Sequence, residues 1–164
     1  MTEPTWLTYA RAELGTAEIP GPQTATKIRE WLTSLKAWWT DDETPWCGTF
    51  VAHVMERSGI ELPKNWFRAR AWLEWGDPAP DPSLGCVVVF DGGPSRPGAG
   101  HVGLVVGRDL HGRLLVLGGN QGNRVSIAPF DEGRVLGYRV PKGRVLLAKL
   151  PTFANSDAAS RSEA

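Results

Sequence analysis

Cys47 lies in the run Asp41-Asp-Glu-Thr-Pro-Trp-Cys47-Gly-Thr-Phe50, which reads as the opening of a helix with Thr44 as its cap and Pro45 as its first position. A thiol in the first helical turn faces unpaired N–H groups and the positive end of the helix dipole. Both favour the thiolate, so its pKa is expected below that of free cysteine. Thiolate attack on an amide carbonyl also needs an imidazole that takes the thiol proton and returns it to the leaving amine. A third group must fix the tautomer of that imidazole. Gly100-His101-Val-Gly-Leu and Leu117-Gly-Gly-Asn120-Gln121 supply both types, so Cys47, His101 and Asn120 are the candidate nucleophile, base and orienting residue. The Cys47 main-chain N–H is the natural first oxyanion donor; Gln121 is a candidate second, its plainer reading being an ordinary turn residue.

Strand register gives these residues a geometry. A hairpin turning at Asp109-Leu-His-Gly112, with Arg108 opposite Arg113, places Leu104 against Leu117, Val106 against Leu115, and His101 against Asn120 on the other face. The same register pairs Gly103 with Gly118, leaving room for the end of the Cys47 helix. A bulge at Gly118-Gly119 would shift the pairing by one residue and undo it.

The elements that must carry this site segregate along the chain. Helices are expected over Trp6–Leu14, Thr24–Leu35 and Pro45–Ser58, with a shorter one from Asn65 to Trp75. After Pro78-Ala-Pro-Asp-Pro82 the pattern changes to short β-branched or aliphatic runs: Cys86–Phe90, Val102–Val106, Leu114–Leu117, Val125–Ile127, Val135–Val140 and Val145–Leu147. Helices followed by strands indicate an α+β domain with helices packed on a small antiparallel sheet. With 164 residues and 41% hydrophobic content, the chain can bury one core, expected over residues 1–150. The polar run from 151 to 164 is expected to be a disordered tail.

The formal charge is zero, so no global field favours nucleic acid or an anionic membrane. The strand-forming half carries a basic excess, read either as a leaning toward an acidic polymer or, more plainly, as a solvated sheet face. No run approaches the ~20 apolar residues of a membrane span, and the N-terminus has no signal-peptide pattern. Synthesis in the cytoplasm is therefore expected, and an extracytoplasmic substrate would require delivery by a lysis pore or secretion machine. Two cysteines allow at most one bridge; Cys86, in an apolar run, reads as a buried structural thiol. His53 is expected at the surface and His111 in the hairpin turn. Neither, with the cysteines, makes paired zinc-ligand spacings, so no metal or other cofactor is implied. Most of the eight tryptophans read as core, with Trp38, Trp39 and Trp46 the candidates for lining a glycan groove. The glycine-rich run Gly92–Gly100 leads into His101 and is expected to edge the cleft.

The ordered set Ala10-Arg-Ala-Glu-Leu-Gly15, Glu18-Ile-Pro-Gly-Pro22, Asp42-Glu-Thr-Pro-Trp-Cys-Gly-Thr-Phe-Val51, Ala69-Arg-Ala-Trp-Leu-Glu-Trp-Gly76, Gly100-His-Val-Gly103, Gly118-Gly-Asn-Gln121 and Leu136-Gly-Tyr138 resembles the NlpC/CHAP superfamily of papain-like cysteine hydrolases, closest to its phage-like or secreted lysis proteins. The resemblance implies a papain-like α+β fold and cleavage of a peptidoglycan amide, either within the stem peptide or at the muramoyl-alanine bond. It carries over Cys47, His101 and Asn120 in the roles above, and implies peptidoglycan as partner, together with delivery machinery or a cognate inhibitor. Many NlpC-type endopeptidases place Asp before the nucleophile to grasp a free amine. Here Trp46 stands there, leaving Trp46, Asp42 and Gln121 as substrate-binding candidates. The competing readings are a papain-like acyltransferase or deamidating toxin, and an idle wall-binding or assembly module.

Overall fold

Helical periodicity and β-branched runs occupy different parts of the sequence, and they occupy different layers of the structure. A computed structural model describes residues 3–18, 25–40, 45–95, 98–146 and 148–154. Three helices, α1 (Thr5–Ala12), α2 (Thr26–Ser34) and α3 (Cys47–Arg57), precede a short 3-10 helix at Ala69–Glu74. Seven strands follow: β1 (Asp77–Ala79), β2 (Val87–Asp91), β3 (Gly100–Asp109), β4 (Leu114–Gly118), β5 (Ser126–Phe130), β6 (Val135–Val140) and β7 (Thr152–Phe153). They form one sheet in the order β1-β6-β2-β3-β4-β5, antiparallel throughout that path, with β7 added parallel to β3.

Alternation along the strands sorts two apolar clusters onto the two sheet faces. Val87, Val89, Val102, Leu104, Val106, Leu115 and Leu117 pack under the helices, whereas Val88, Phe90, Val105, Leu114 and Val116 pack on the other side. Burial on both faces explains why the strands read as unbroken apolar runs. Phe90 of β2 and Phe130 of β5 lie three places apart in the sheet, yet their rings stack at 4.6 Å. The sheet therefore curls around its second face.

The central helix α3 is buried from Cys47 to Met55, held between the sheet and the other two helices. Its end has a definite cause. Gly59 takes φ +73 and the Ile60 N–H reaches back to the Met55 carbonyl, a left-handed closure suited to glycine. Trp6 anchors α1 to the strand layer through its indole N–H on the Gly85 carbonyl at 2.7 Å.

Several expectations change at element ends. The shorter helix is 3-10 and confined to Ala69–Glu74, and residues 145–146 form no strand. The expected tail is not free from residue 151 on. Thr152 and Phe153 pair with Arg108 and Asp109, and the Phe153 ring covers Gly107, where an added Cβ would lie 2.8 Å from it. Apolar area at a single aromatic residue was enough to dock a segment whose average composition is polar. The remainder of that tail, 155–164, lies outside the described residues.

Candidate active site

Cys47 is the first residue of α3, with Trp46 at the cap position; the expected cap Thr44 lies outside the described residues, and Pro45 precedes the helix. Gly48 lets this first turn press onto the chain at Trp66-Phe67, since a Cβ there would sit 2.5 Å from the Trp66 carbonyl oxygen. The thiol is nearly buried at 8% exposure, and that burial raises its pKa above the ordinary thiol value. Main-chain N–H groups of Val102, Gly48 and Cys47 bear on the sulfur and pull the other way, but desolvation is the larger effect. The helix-start argument for a lowered pKa thus named a real contribution and missed the one that wins.

The Val102 amide is available for a reason written in the sheet. Val105 exchanges main-chain bonds with the β2 side, so by alternation Val102 turns toward the β4 side. Pairing with β4 stops at Leu104 and Leu117, two residues before Val102, and the Cys47 sulfur takes the place of the missing strand.

His101, the residue before Val102, bonds through Nε2 to Oε1 of Gln121 at 2.8 Å. The Gln121 amide cannot be turned around, because its nitrogen donates to the carbonyls of Val116 at 3.1 Å and Ser126 at 2.8 Å. Its oxygen therefore faces the ring, and the neutral imidazole carries its proton on Nε2 with Nδ1 basic. The ring lies nearly parallel to Phe130 (5.3 Å, 14°) and to its cross-strand partner Phe90 (6.4 Å, 22°). Burial lowers the His101 pKa; the Gln121 bond opposes this and nearby Arg134 adds to it.

Asn120 does not occupy the orienting position. The expected pairing holds at Leu104 with Leu117, but a bulge between Val105 and Gly107 moves Arg108 opposite Leu114, and the β3–β4 pairing does not extend past Leu117 to Asn120. Asn120 instead takes φ +59 in the following turn, which brings Gln121 back beneath the ring. Gly118 is required there: a Cβ would lie 2.3 Å from Gln121 Oε1 and 3.3 Å from His101 Nε2. Gly119, not Gly103, makes room for the helix, with Phe50 and the Trp46 ring under 3 Å from a Cβ at that position. Gly118 thus leaves space for the His101–Gln121 pair, and Gly119 for the start of α3.

A cleft of about 570 Å³ opens beside Cys47, lined by Pro45, Phe67, Arg68, Glu74 and the Gly98–Gly100 end of the glycine-rich run, among others. That run edges the cleft as expected, and Arg70 fixes its end by bonding the Ala99 carbonyl and Asp91. Arg68 is exposed and makes no ion pair among the described residues. Trp46 is not a substrate-binding side chain: it is 1% exposed in the core, its indole N–H on Glu18 at 3.2 Å. Asp42 lies outside the described residues. Gln121 spends its whole side-chain amide inside the protein and offers none of it to a ligand or an oxyanion.

The model of the CHAP domain family matches residues 39–120, half of the chain. The chain belongs to the CHAP domain family. Among curated proteins, none matches it. CHAP domains are peptidoglycan amidases and peptidases, so the general assignment is an enzyme acting on peptidoglycan. The matched stretch of this CHAP domain contains Cys47 and His101 and ends one residue short of Gln121.

The other reactive side chains lie elsewhere. Cys86 is fully buried on the far sheet face, with its pKa pushed up to about 11 by burial, and both thiols are free. His53 is buried rather than at the surface, stacked on Trp31 at 4.8 Å beside Glu13. His111 sits in the β3–β4 turn, which Asp109 closes by accepting from the His111 and Arg113 amides. Sequence reasoning missed Phe90 and Phe130. The β2–β3 pairing, which puts Phe90 opposite His101, held the available signal for the first of them.

Proposed function

We propose that this CHAP domain is a cysteine hydrolase of papain-like arrangement that cuts an amide bond in peptidoglycan through an acyl-enzyme. The carrying observation is that the helix-start thiol of Cys47 lies at the cleft under the Val102 amide, next in the chain to His101, whose imidazole Gln121 holds in the tautomer with a basic Nδ1.

His101 Nδ1 takes the Cys47 proton as the sulfur bonds the amide carbon. The carbonyl oxygen becomes an oxyanion, with the Cys47 main-chain N–H as its donor at the positive end of α3. The C–N bond then breaks, and the imidazolium returns its proton to the departing amine. Water, deprotonated by the same nitrogen, hydrolyses the thioester and restores the thiol. Because burial opposes charge on both Cys47 and His101, the resting pair is neutral and the proton moves during attack.

Mass spectrometry of purified muropeptides after digestion tests this reading. Wild type should yield products one hydrolysed amide apart, whose masses distinguish stem-peptide from muramoyl-alanine cleavage. Cys47→Ala should yield none, and Cys86→Ala should keep most activity. A hydrolytically competent Cys47→Ala protein would refute the proposal.

A further inference from the structure

Four aromatic rings run outward from the cleft. Phe67 lines it beside Cys47, and meets Trp39 edge-on at 5.5 Å and Trp66 at 5.7 Å. Trp39 lies nearly flat against Trp66 (5.8 Å, 28°), and Trp38 meets Trp39 at 5.3 Å and 73°. Trp39 and Trp66 pack against the outside of the core, and Trp39, Trp66 and Phe67 are all half-buried. Trp38 is 89% exposed, the most exposed large apolar side chain among the described residues. A lone exposed tryptophan is ordinary. A series of touching rings, mostly edge-on, that begins at the cleft beside Cys47 and ends in a solvent-facing indole is a continuous apolar track with a polar edge, because Asn65 and Arg68 line the cleft beside it.

We propose that Trp38, Trp39, Trp66 and Phe67 form a sugar-binding platform that accepts the pyranose faces of a glycan strand. The inference rests on the peptidoglycan reading above and names how the substrate is held. Pyranose rings present C–H faces that stack on aromatic surfaces while their hydroxyl and N-acetyl groups bond outward. Successive rings from Phe67 through Trp39 to Trp38 stand 5.5 and 5.3 Å apart, centre to centre. In peptidoglycan the peptide hangs from the sugar, so a stem peptide lying against Cys47 leaves its glycan at one end of the cleft, where this track starts. The platform makes the enzyme favour peptides still attached to glycan over free ones.

The test has two arms. Cys47→Ala protein is titrated with chitohexaose, a peptide-free β-1,4 N-acetylglucosamine oligomer, by tryptophan fluorescence and calorimetry. Trp38→Ala in that background should weaken binding about tenfold, while Leu110→Ala, another exposed apolar residue far along the chain, should not. In the second arm the active protein is given a disaccharide-linked stem peptide and the same peptide without sugar. Trp38→Ala should raise KM about tenfold for the first and leave the second unchanged. Circular dichroism confirms that each variant is folded. No chitohexaose binding, or equal binding by wild type and Trp38→Ala, overturns the platform. So does a Trp38-dependent dimer in sedimentation, which would make the track a self-interface. The binding arm needs no turnover, so failure of the hydrolase reading would leave it interpretable.

Discussion

The His101 imidazole gives its Nε2 proton to the side-chain oxygen of Gln121 at 2.8 Å, and Gln121 has no freedom to respond otherwise, because Val116 and Ser126 hold its nitrogen. A neutral amide thus performs the orienting task without placing a charge in a buried site. A carboxylate there would stabilise imidazolium more strongly; this glutamine fixes the tautomer while the pKa of His101 stays low.

Gln121→Ala should lower kcat by about 10- to 100-fold, less than His101→Ala, since in the proposed mechanism the imidazole transfers the proton and Gln121 holds it. Asn120→Gly should retain most activity, because its contribution is a left-handed backbone that glycine adopts freely. The check is a double-mutant cycle on a defined muropeptide: His101→Ala with Gln121→Ala should be little worse than His101→Ala alone. Losses that multiply would separate Gln121 from the function of His101.

The acid limb of kcat/KM should lie below the ordinary imidazole value of 6.5, because burial favours neutral His101 and protonation of Nδ1 removes the base. Cys47 alkylation by iodoacetamide should be slow at neutral pH and accelerate above the ordinary thiol value of 9.0, since burial favours the thiol. Rates measured from pH 4 to 10 decide both signs. Fast alkylation at neutral pH would mean a preformed thiolate.

What could be read from sequence was what local pattern determines. Helical stripes located α1 to α3, apolar runs located most strands, and type and context made Cys47 and His101 candidates. What failed depended on one-residue geometry. The Asn120 assignment assumed β3–β4 pairing past Leu117, but the turn beyond β4 favours a left-handed residue and exchanges Asn120 for its neighbour. The thiol pKa depended on burial between α3 and β3, a tertiary quantity no helix-start pattern contains. His53 looked solvent-facing because its angular position was measured from Cys47, while α3 is covered on nearly every side.

Arg68→Ala should raise KM about five- to tenfold on stem peptides with free carboxylates, leaving kcat nearly unchanged. An exposed guanidinium at the cleft with no ion pair among the described residues can hold a substrate carboxylate in a charge-assisted bond. Amidating the carboxylates should erase the difference between wild type and variant. An unchanged KM for both substrates would assign Arg68 to the surface alone.

Gly107→Ala should destabilise the domain by about 1–2 kcal/mol, because the new methyl displaces the Phe153 ring and uncouples β7 from β3. Phe153→Ala should cost a similar amount, and combining the two should add little, as both remove one contact. Urea denaturation measures all three. Full additivity would show that Phe153 does not depend on Gly107.

Stability should fall as pH drops from about 6.5 toward 4, and His53 should account for a definable part of the fall. Its pKa is lowered to about 4, chiefly by burial, with Glu13 and Glu56 opposing that shift and Arg57 and Lys27 reinforcing it. The His53–Glu13 contact at 3.8 Å is accordingly not an ion pair at neutral pH. Because the folded pKa is depressed, the unfolded chain binds the proton first. The contribution of neutral His53 is fully present above the unfolded value and is lost as pH falls toward the folded one, with an upper bound of about 3 kcal/mol. His53→Phe keeps a ring against Trp31 and removes the titration. Urea denaturation at pH 7 and pH 4.5 should therefore show a smaller acid loss for the variant than for wild type. Equal losses would mean that protonated His53 is accommodated in the fold, with Glu13 as its partner.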